Sequence, residues 1–338
     1  MIKKLLLLLT VLAVLAAGAF FYTTSQIQQF LDQPVQIQDE EIVTIKPGMS
    51  FNRVLNQFVT DSWIVSNPTS KLVRRLHPEL THIKAGTFLI EPEQSLREVL
   101  AFLVEGKEHQ FSITFVEGSR FSEWLEQFKQ AKYLDHSLAG LSETEIAQKL
   151  GIDRDKLEGL FLAETYYYTL GTSDFDILKR AHANLKQVLD LHWSSRQDKL
   201  PLKSDYEALI LASIIEKETA VASERERVAS VFINRLNKRM RLQTDPTVIY
   251  GMGDNYKGNI RKKDLRARTA YNTYVINGLP PTPIAMAGEA SIKAALNPEK
   301  GKYLYFVASG TGGHVFSKTL AEHNRAVRAY LKQLRKNK

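Results

Sequence analysis

Two glutamates that close one helical run, Glu216 and Glu218, have the residue type and setting to move a proton. The run begins at Tyr206, and Ile210, Leu211, Ile214 and Ile215 recur at i, i+1, i+4 and i+5, the spacing of one helix face. Continuing that face from Ile214 and Ile215 reaches Glu218, whereas Glu216 is turned roughly 200° away on a helix of about 3.6 residues per turn. Glu218 is therefore expected at the end of an apolar face and near a helix C-terminus. Desolvation and the negative end of the helix dipole both disfavour a charged carboxylate there. A carboxyl kept protonated near neutral pH can act as a general acid. Glu216, on the opposite face, is expected in solvent. The same spacing admits a plainer alternative, in which Glu218 joins Lys217, Glu224, Arg225 and Arg227 in a solvated ion-pair cluster.

The elements that must position this acid follow it in the chain. Arg225 to Arg235 is expected to form a second amphipathic helix, with Val228, Val231, Phe232 and Leu236 on its apolar face. Leu242-Gln243-Thr244-Asp245-Pro246-Thr247 is expected as a loop that aims polar groups into a cleft, because a proline biases the residue before it away from the helical region. Tyr271-Asn272-Thr273-Tyr274 places two aromatic rings and an amide in a short segment, a mixture that suits sugars and suits inward packing equally.

Upstream, a strand, a Gly-containing turn and a helix recur: Ile42 to Ile45 with a helix capped by Ser50, Thr87 to Ile90 with one capped by Ser95, and Phe111 to Val116 with one through Ser122, Trp124, Leu125 and Phe128. From Leu134 to Tyr206 the pattern is mainly helical, and Tyr303 to Ala308 reads as a buried strand. The basic run from Gly253 to Arg268 reads as a solvated face.

Three stretches together, Leu211-Ala212-Ser213-Ile214-Ile215-Glu216-Lys217-Glu218-Thr219, Val228-Ala229-Ser230-Val231-Phe232-Ile233-Asn234-Arg235-Leu236 and Leu242-Gln243-Thr244-Asp245-Pro246, closely resemble the endolytic murein transglycosylases of the YceG-like family. Leu157-Glu158-Gly159-Leu160-Phe161, Tyr271 to Tyr274 with Gly278-Leu279-Pro280-Pro281, and Tyr303 to Val307 extend the match over essentially the whole chain. One departure is Ala163-Glu164-Thr165-Tyr166, where the family commonly has Pro-Asp-Thr-Tyr.

The resemblance implies that Glu218 is the catalytic acid/base, and that Gln243, Asp245, Tyr271, Asn272 and Tyr274 face one groove with it as substrate-binding residues. The reaction it implies is cleavage of the MurNAc-β-1,4-GlcNAc bond within peptidoglycan glycan strands, leaving 1,6-anhydroMurNAc ends and terminating nascent strand growth. Peptidoglycan synthases are the implied protein partners. Residues 42–106 look like a LysM-like module, which is either glycan-binding or a spacer, with Trp63 the candidate for sugar stacking. Residues 107–338 are expected to form the catalytic domain. Two other functions stay open on the residues alone: a lysozyme-type hydrolase with Asp245 as partner carboxylate to Glu218, and a non-catalytic wall-binding scaffold.

Composition bounds these readings. The chain has 338 residues, 44% of them hydrophobic and 24% charged, enough for real cores and more than one domain. A formal charge of +8 favours anionic surroundings. The absence of cysteine excludes disulfides and thiol chemistry. No motif for a metal or a nucleotide is present, so no cofactor is expected.

Lys3 and Lys4 precede an uncharged, mostly apolar run from Leu5 to Tyr22, and about 18 residues at 1.5 Å each approach the roughly 30 Å of bilayer hydrocarbon. A retained membrane helix is expected there, with a cleaved signal peptide at Ala17-Gly18-Ala19 as the rival. Residues 1–4 would then be cytoplasmic and the rest would lie across the inner membrane in the periplasm, away from nucleic acid. Residues 23–41, rich in Gln and Asp, are expected as a tether. The fold class expected is α+β: a membrane helix, a small β/α module and a larger mixed catalytic domain.

Overall fold

The computed structural model of the protein describes residues 2–336 and divides the chain into two compact units, Met1–Phe111 and Ser112–Lys338. The smaller unit opens with α1 (Ile2–Leu31), a 30-residue helix whose most apolar window has a mean hydropathy of 2.5. It is long and apolar enough to cross a membrane. Residues 2–22 are exposed, but Ile27, Phe30 and Leu31 are buried.

This corrects the tether expected over residues 23–41. Ile27, Phe30 and Leu31 recur at helical spacing among glutamines, so the segment continues the helix as an amphipathic turn that packs on the small unit. The extended residues after it are pinned as well. Val35 N donates to Gln94 O at 2.8 Å and Gln36 N to Trp63 O at 2.8 Å. Arg97 Nε meets Asp32 Oδ1 at 2.9 Å.

The unit continues with β1 (Glu41–Ile45), α2 (Phe51–Thr60), α3 (Ser70–Leu76), β2 (Gly86–Ile90) and α4 (Leu96–Glu105). The two strands pair antiparallel, Glu41 opposite Ile90 and Ile45 opposite Gly86. Ser50 and Ser95 cap α2 and α4, as the spacing predicts. Trp63 lies in the core, stacked on Phe58 with centroids 5.1 Å apart.

The larger unit carries β3 (Phe111–Thr114), which begins at the boundary, then α5 (Phe121–Gln130), α6 (Glu143–Leu150), β4 (Thr165–Tyr168) and α7 (Asp174–Ser194). After these come α8 (Asp205–Glu218), α9 (Arg225–Asn237), α10 (Asp245–Met252), α11 (Glu289–Leu296), β5 (Tyr305–Ala308), β6 (His314–Ser317) and α12 (Leu320–Lys336). β3 pairs with β4, and β5 with β6 as an antiparallel hairpin closed by the glycine-rich turn before His314. The protein is thus a mixed α+β fold with an N-terminal apolar helix. β4 falls inside a region whose periodicity reads as helical; its run of three tyrosines supplies a strand's aromatic character instead.

α8 is the axis of the larger unit. It is capped by Ser204, whose side chain accepts from Glu207 N, and every residue from Ala208 to Ile215 is buried. α7, α9, α10 and α11 pack around it. A helix buried on all sides needs no single apolar stripe, which is why the expected stripe is only part of its apolar surface.

If the end of α1 is part of the small unit's core, Phe30→Ala should cost about 3–5 kcal/mol of that unit's stability. Phe20→Ala, at an exposed site of the same helix, should change it little. Urea denaturation of the full chain in detergent measures both, and equal, negligible effects would restore the tether.

Candidate active site

Glu218 is the last residue of α8, and the chain leaves the helix immediately afterwards at Thr219. Its partly buried carboxyl looks into a cleft of about 380 Å³ that is also lined by Arg235, Gln243, Asp245 and Tyr274. Burial is the largest influence on Glu218 and raises its pKa above the ordinary glutamate value, and the nearby charge of Asp245 adds to the shift. A hydrogen bond donated by Thr244 Oγ1 to Glu218 Oε1, and more weakly the charges of His314 and Arg235, pull the other way.

The residues that deliver Thr244 and Asp245 are fixed by a small buried polar network. Thr244 N donates to Thr273 Oγ1 at 3.0 Å, Thr247 Oγ1 donates to Thr244 O at 2.8 Å, and the Thr247 and Thr273 hydroxyls lie 2.8 Å apart. Gln243 N donates to Thr273 O at 3.2 Å, and Gln243 itself has φ of +51°, a left-handed conformation unusual for a residue with a Cβ. Arg235, only 8% exposed, braces the same loop by donating to Leu242 O at 2.8 Å and to Leu304 O at 2.7 Å.

Asp245 departs from the expected loop. It is the first residue of α10, where the proline that follows costs nothing because first-turn N–H groups have no partner inside the helix. Its carboxylate sits at the positive end of that helix and accepts from Tyr274 Oη at 2.6 Å.

Of the residues expected in one groove, Gln243, Asp245 and Tyr274 line the cleft with Glu218, and Tyr271 and Asn272 do not. Tyr271 packs edge-on against Tyr250, and its hydroxyl is 2.9 Å from that of Thr282. Asn272 is 1% exposed, and its amide donates to Asp264 O at 3.0 Å and Ala267 O at 2.7 Å while its Oδ1 accepts from Tyr274 N at 3.0 Å. Adjacent residues of an irregular segment point in different directions, and the segment's spacing carries no sign of which.

Glu216 also differs from expectation. Its side chain is 6% exposed, accepts from Gly288 N at 3.1 Å and lies 3.7 Å from Arg225 Nη2. The face opposite Glu218 is covered by the segment entering α11, so both acids of the pair are enclosed.

Other walls of the cleft come from Phe232, Leu242, Tyr305, Phe306, Leu320 and His323. Phe232 and the Tyr305-Phe306 pair belong to stretches the sequence singles out, but β5 is half-buried rather than buried, because one side of it opens on the cleft. His323 carried no signal, since it lies in α12, outside every stretch that the sequence singles out. It stacks on Tyr305 at 5.2 Å, and desolvation followed by the charge of Arg235 lowers its pKa.

The Leu157–Phe161 stretch lies outside the cleft. Glu158 accepts from Phe121 N at 2.9 Å at the start of α5, and burial pushes its pKa up to about 7. Gly159 has φ of +78°, and a Cβ there would come within 2.3 Å of Pro283. Among the described residues no group of three His, Cys, Asp or Glu side chains could hold a metal ion.

The YceG-like family model matches residues 43–329. This chain belongs to the YceG-like family. Among its relatives in that family is a protein of Bacillus subtilis strain 168 named endolytic murein transglycosylase, 31% identical over 334 residues that cover 93% of this chain and 90% of the relative. A Streptococcus pneumoniae R6 protein of the same name is 25% identical over 94% of this chain, which spans 63% of that longer relative. A crystal structure of a YceG-like protein from Listeria monocytogenes matches with a TM-score of 0.50 at 30% identity, covering 86% of this chain and 99% of that one.

The two acids at the end of α8 should separate by their effect on stability. Glu216→Gln leaves Arg225 with only the more exposed Glu117, 3.8 Å away, as counter-charge and should cost about 1–3 kcal/mol. Glu218→Gln removes an acid already disfavoured by burial and should cost nothing or stabilise slightly. Thermal and urea unfolding of the two variants check this, and the opposite order would contradict the environments described.

Proposed function

We propose that this chain is an endolytic murein transglycosylase in which Glu218 carries both proton transfers. The observation that supports the assignment is a single carboxyl, raised in pKa by burial, at the floor of a cleft whose other acid, Asp245, already accepts the Tyr274 hydroxyl. Protonated Glu218 donates to the glycosidic oxygen as the bond from C1 of N-acetylmuramic acid breaks. The C6 hydroxyl of the same sugar then attacks C1, and its proton passes to the Glu218 carboxylate. The balance closes without water: one glycosidic bond is replaced by a 1,6-anhydro bridge, and Glu218 ends protonated as it began.

Thr244 tunes this acid, because its donated hydrogen bond favours the carboxylate that takes up the C6 proton. Gln243, Asp245 and Tyr274 serve as the groove's hydrogen-bonding groups for sugar, and Tyr305 and Phe306 supply apolar surface. Tyr271 and Asn272 act through the positions they impose on their neighbours. The hydrolase route with Asp245 as partner carboxylate is not favoured, because relatives along the whole chain are named transglycosylases.

In this reading α1 anchors the protein once in the inner membrane, with residues 1–4 in the cytoplasm and the catalytic unit in the periplasm, where it ends growing strands beside peptidoglycan synthases. Retention of α1 is supported by the packing of its C-terminal end, since cleavage after Ala19 would cut within a continuous helix. The LysM-like reading of residues 42–106 rests on resemblance. With Trp63 in the core, a spacer role for that unit is the better supported one.

Glu218→Gln should lower release of 1,6-anhydro products from uncrosslinked glycan strands by at least about 10²–10⁴-fold while leaving strand binding intact. Mass spectrometry of the products checks it; persistent anhydro ends, or new reducing ends from the wild-type protein, would refute the mechanism.

Thr244→Val should move the alkaline limb of the pH–rate profile to higher pH. Removing a donor to the carboxylate raises the pKa at which Glu218 loses its acid proton. A limb that stays in place or moves to lower pH would show that another group sets it.

A further inference from the structure

Beside the Glu218 cleft lies a second cavity of about 710 Å³, and Tyr274 is in the wall of both. That volume is within the range of ligand pockets, roughly 300–1,000 Å³. Arg241, Arg266 and Arg268 line it over apolar surface from Leu265 and Ile276, and no acidic residue is in its wall. Among the described residues neither Arg266 nor Arg268 has a salt-bridge partner. All three arginines are exposed, and with no acidic residue in the wall they leave a positively charged hollow open to an anionic occupant.

The backbone that carries Arg266 and Arg268 is also held in place. The Asn272 amide ties Asp264 O and Ala267 O, its backbone N donates to Thr269 Oγ1 at 3.1 Å, and Arg241 Nη1 donates to Tyr274 O at 3.0 Å. The segment bearing Arg266 and Arg268 is thus braced by Asn272, two residues before the Tyr274 that lines the cleft. The basic run is solvent-exposed, as its sequence reads, and part of it also forms the rim of an open hollow adjoining the candidate acid.

We propose that this cavity takes the peptide stem of the muramic residue at the cleavage point, with stem carboxylates on the guanidinium groups of Arg266 and Arg268. The inference rests on the glycan-cleaving role proposed above. The bond cut there belongs to a sugar that carries a short peptide on its lactyl ether, so the stem leaves the sugar next to the cleft. Its free carboxylates match the planar donor fork of arginine, which can bind them in bidentate pairs. The cavity therefore selects strands whose muramic residues still bear peptides.

The test compares stem-bearing glycan strands with the same strands stripped of peptide by an amidase. The double variant Arg266→Ala/Arg268→Ala should lose about 10- to 100-fold in kcat/KM on stem-bearing strands, mostly through KM, and match the wild type on bare strands. Arg266→Lys/Arg268→Lys should restore only part of the loss. Equal loss on both substrates, or no loss on either, overturns the proposal. So does a loss that follows a lipid pyrophosphate at the strand end, examined with strands that carry or lack it. Calorimetric titration of free stem peptide into the full chain and its Ala double variant keeps the inference testable apart from catalysis. Binding that the Ala variant abolishes supports it; binding that is absent or unchanged refutes it. A wild-type protein that cuts neither strand refutes the catalytic reading instead.

Discussion

The cleft depends on ending a fully buried helix with a carboxylic acid. α8 is enclosed by four other helices and has no solvated face on which to place Glu218, so the acid meets the cleft only where the helix stops. Both the surrounding apolar atoms and the C-terminal end of the helix dipole then oppose its ionisation. One threonine offsets part of that cost by donating a hydrogen bond to the carboxyl. The balance leaves a carboxyl whose pKa stays above the ordinary glutamate value, the property the proposed single-residue acid/base needs.

Everything near Glu218 serves to hold that threonine and its neighbour Asp245 in register. Thr244, Thr247 and Thr273 form a buried cluster of hydroxyls that bond to one another and to backbone, and Arg235 fixes the loop before them by its hold on Leu242 O. Such a network rigidifies a site only when its members are satisfied, since a buried polar group without a partner costs more than the bond is worth. Gln243 takes a left-handed conformation within this frame, a local strain kept because its neighbours are pinned on both sides. The Tyr271–Tyr274 segment extends the frame outward, one residue facing the cleft and another clamping the arginine-bearing segment.

The small unit follows a different constraint. Its helix continues directly from the apolar N-terminal run, and the turn that buries Ile27, Phe30 and Leu31 makes the junction stiff on the scale of a helix rather than loose on the scale of a coil. Polar composition between residues 23 and 31 concealed this, because glutamine suits a helix surface as well as a linker.

What the sequence determined by itself were the features governed by local spacing. The helix ending in Glu218, the serine caps of α2 and α4, the strand-turn-helix units, the apolar N-terminal run and the mixed α+β character can be read from periodicity and residue type. The family resemblance extends that reading to Glu218 as the acid. Tertiary structure alone decided which side chains share the cleft. Glu216 was expected in solvent because helix geometry gives a direction but not what lies there, and the segment entering α11 covers it from about seventy positions away. Asn272 carries the right chemistry for sugar, yet its amide is used to clamp a neighbouring backbone segment, and His323 reaches the cleft from α12, outside every stretch that the sequence singles out. Contacts between residues far apart in sequence leave no periodic trace in either partner, so the place of Glu218 at the end of its helix was legible and most of its surroundings were not.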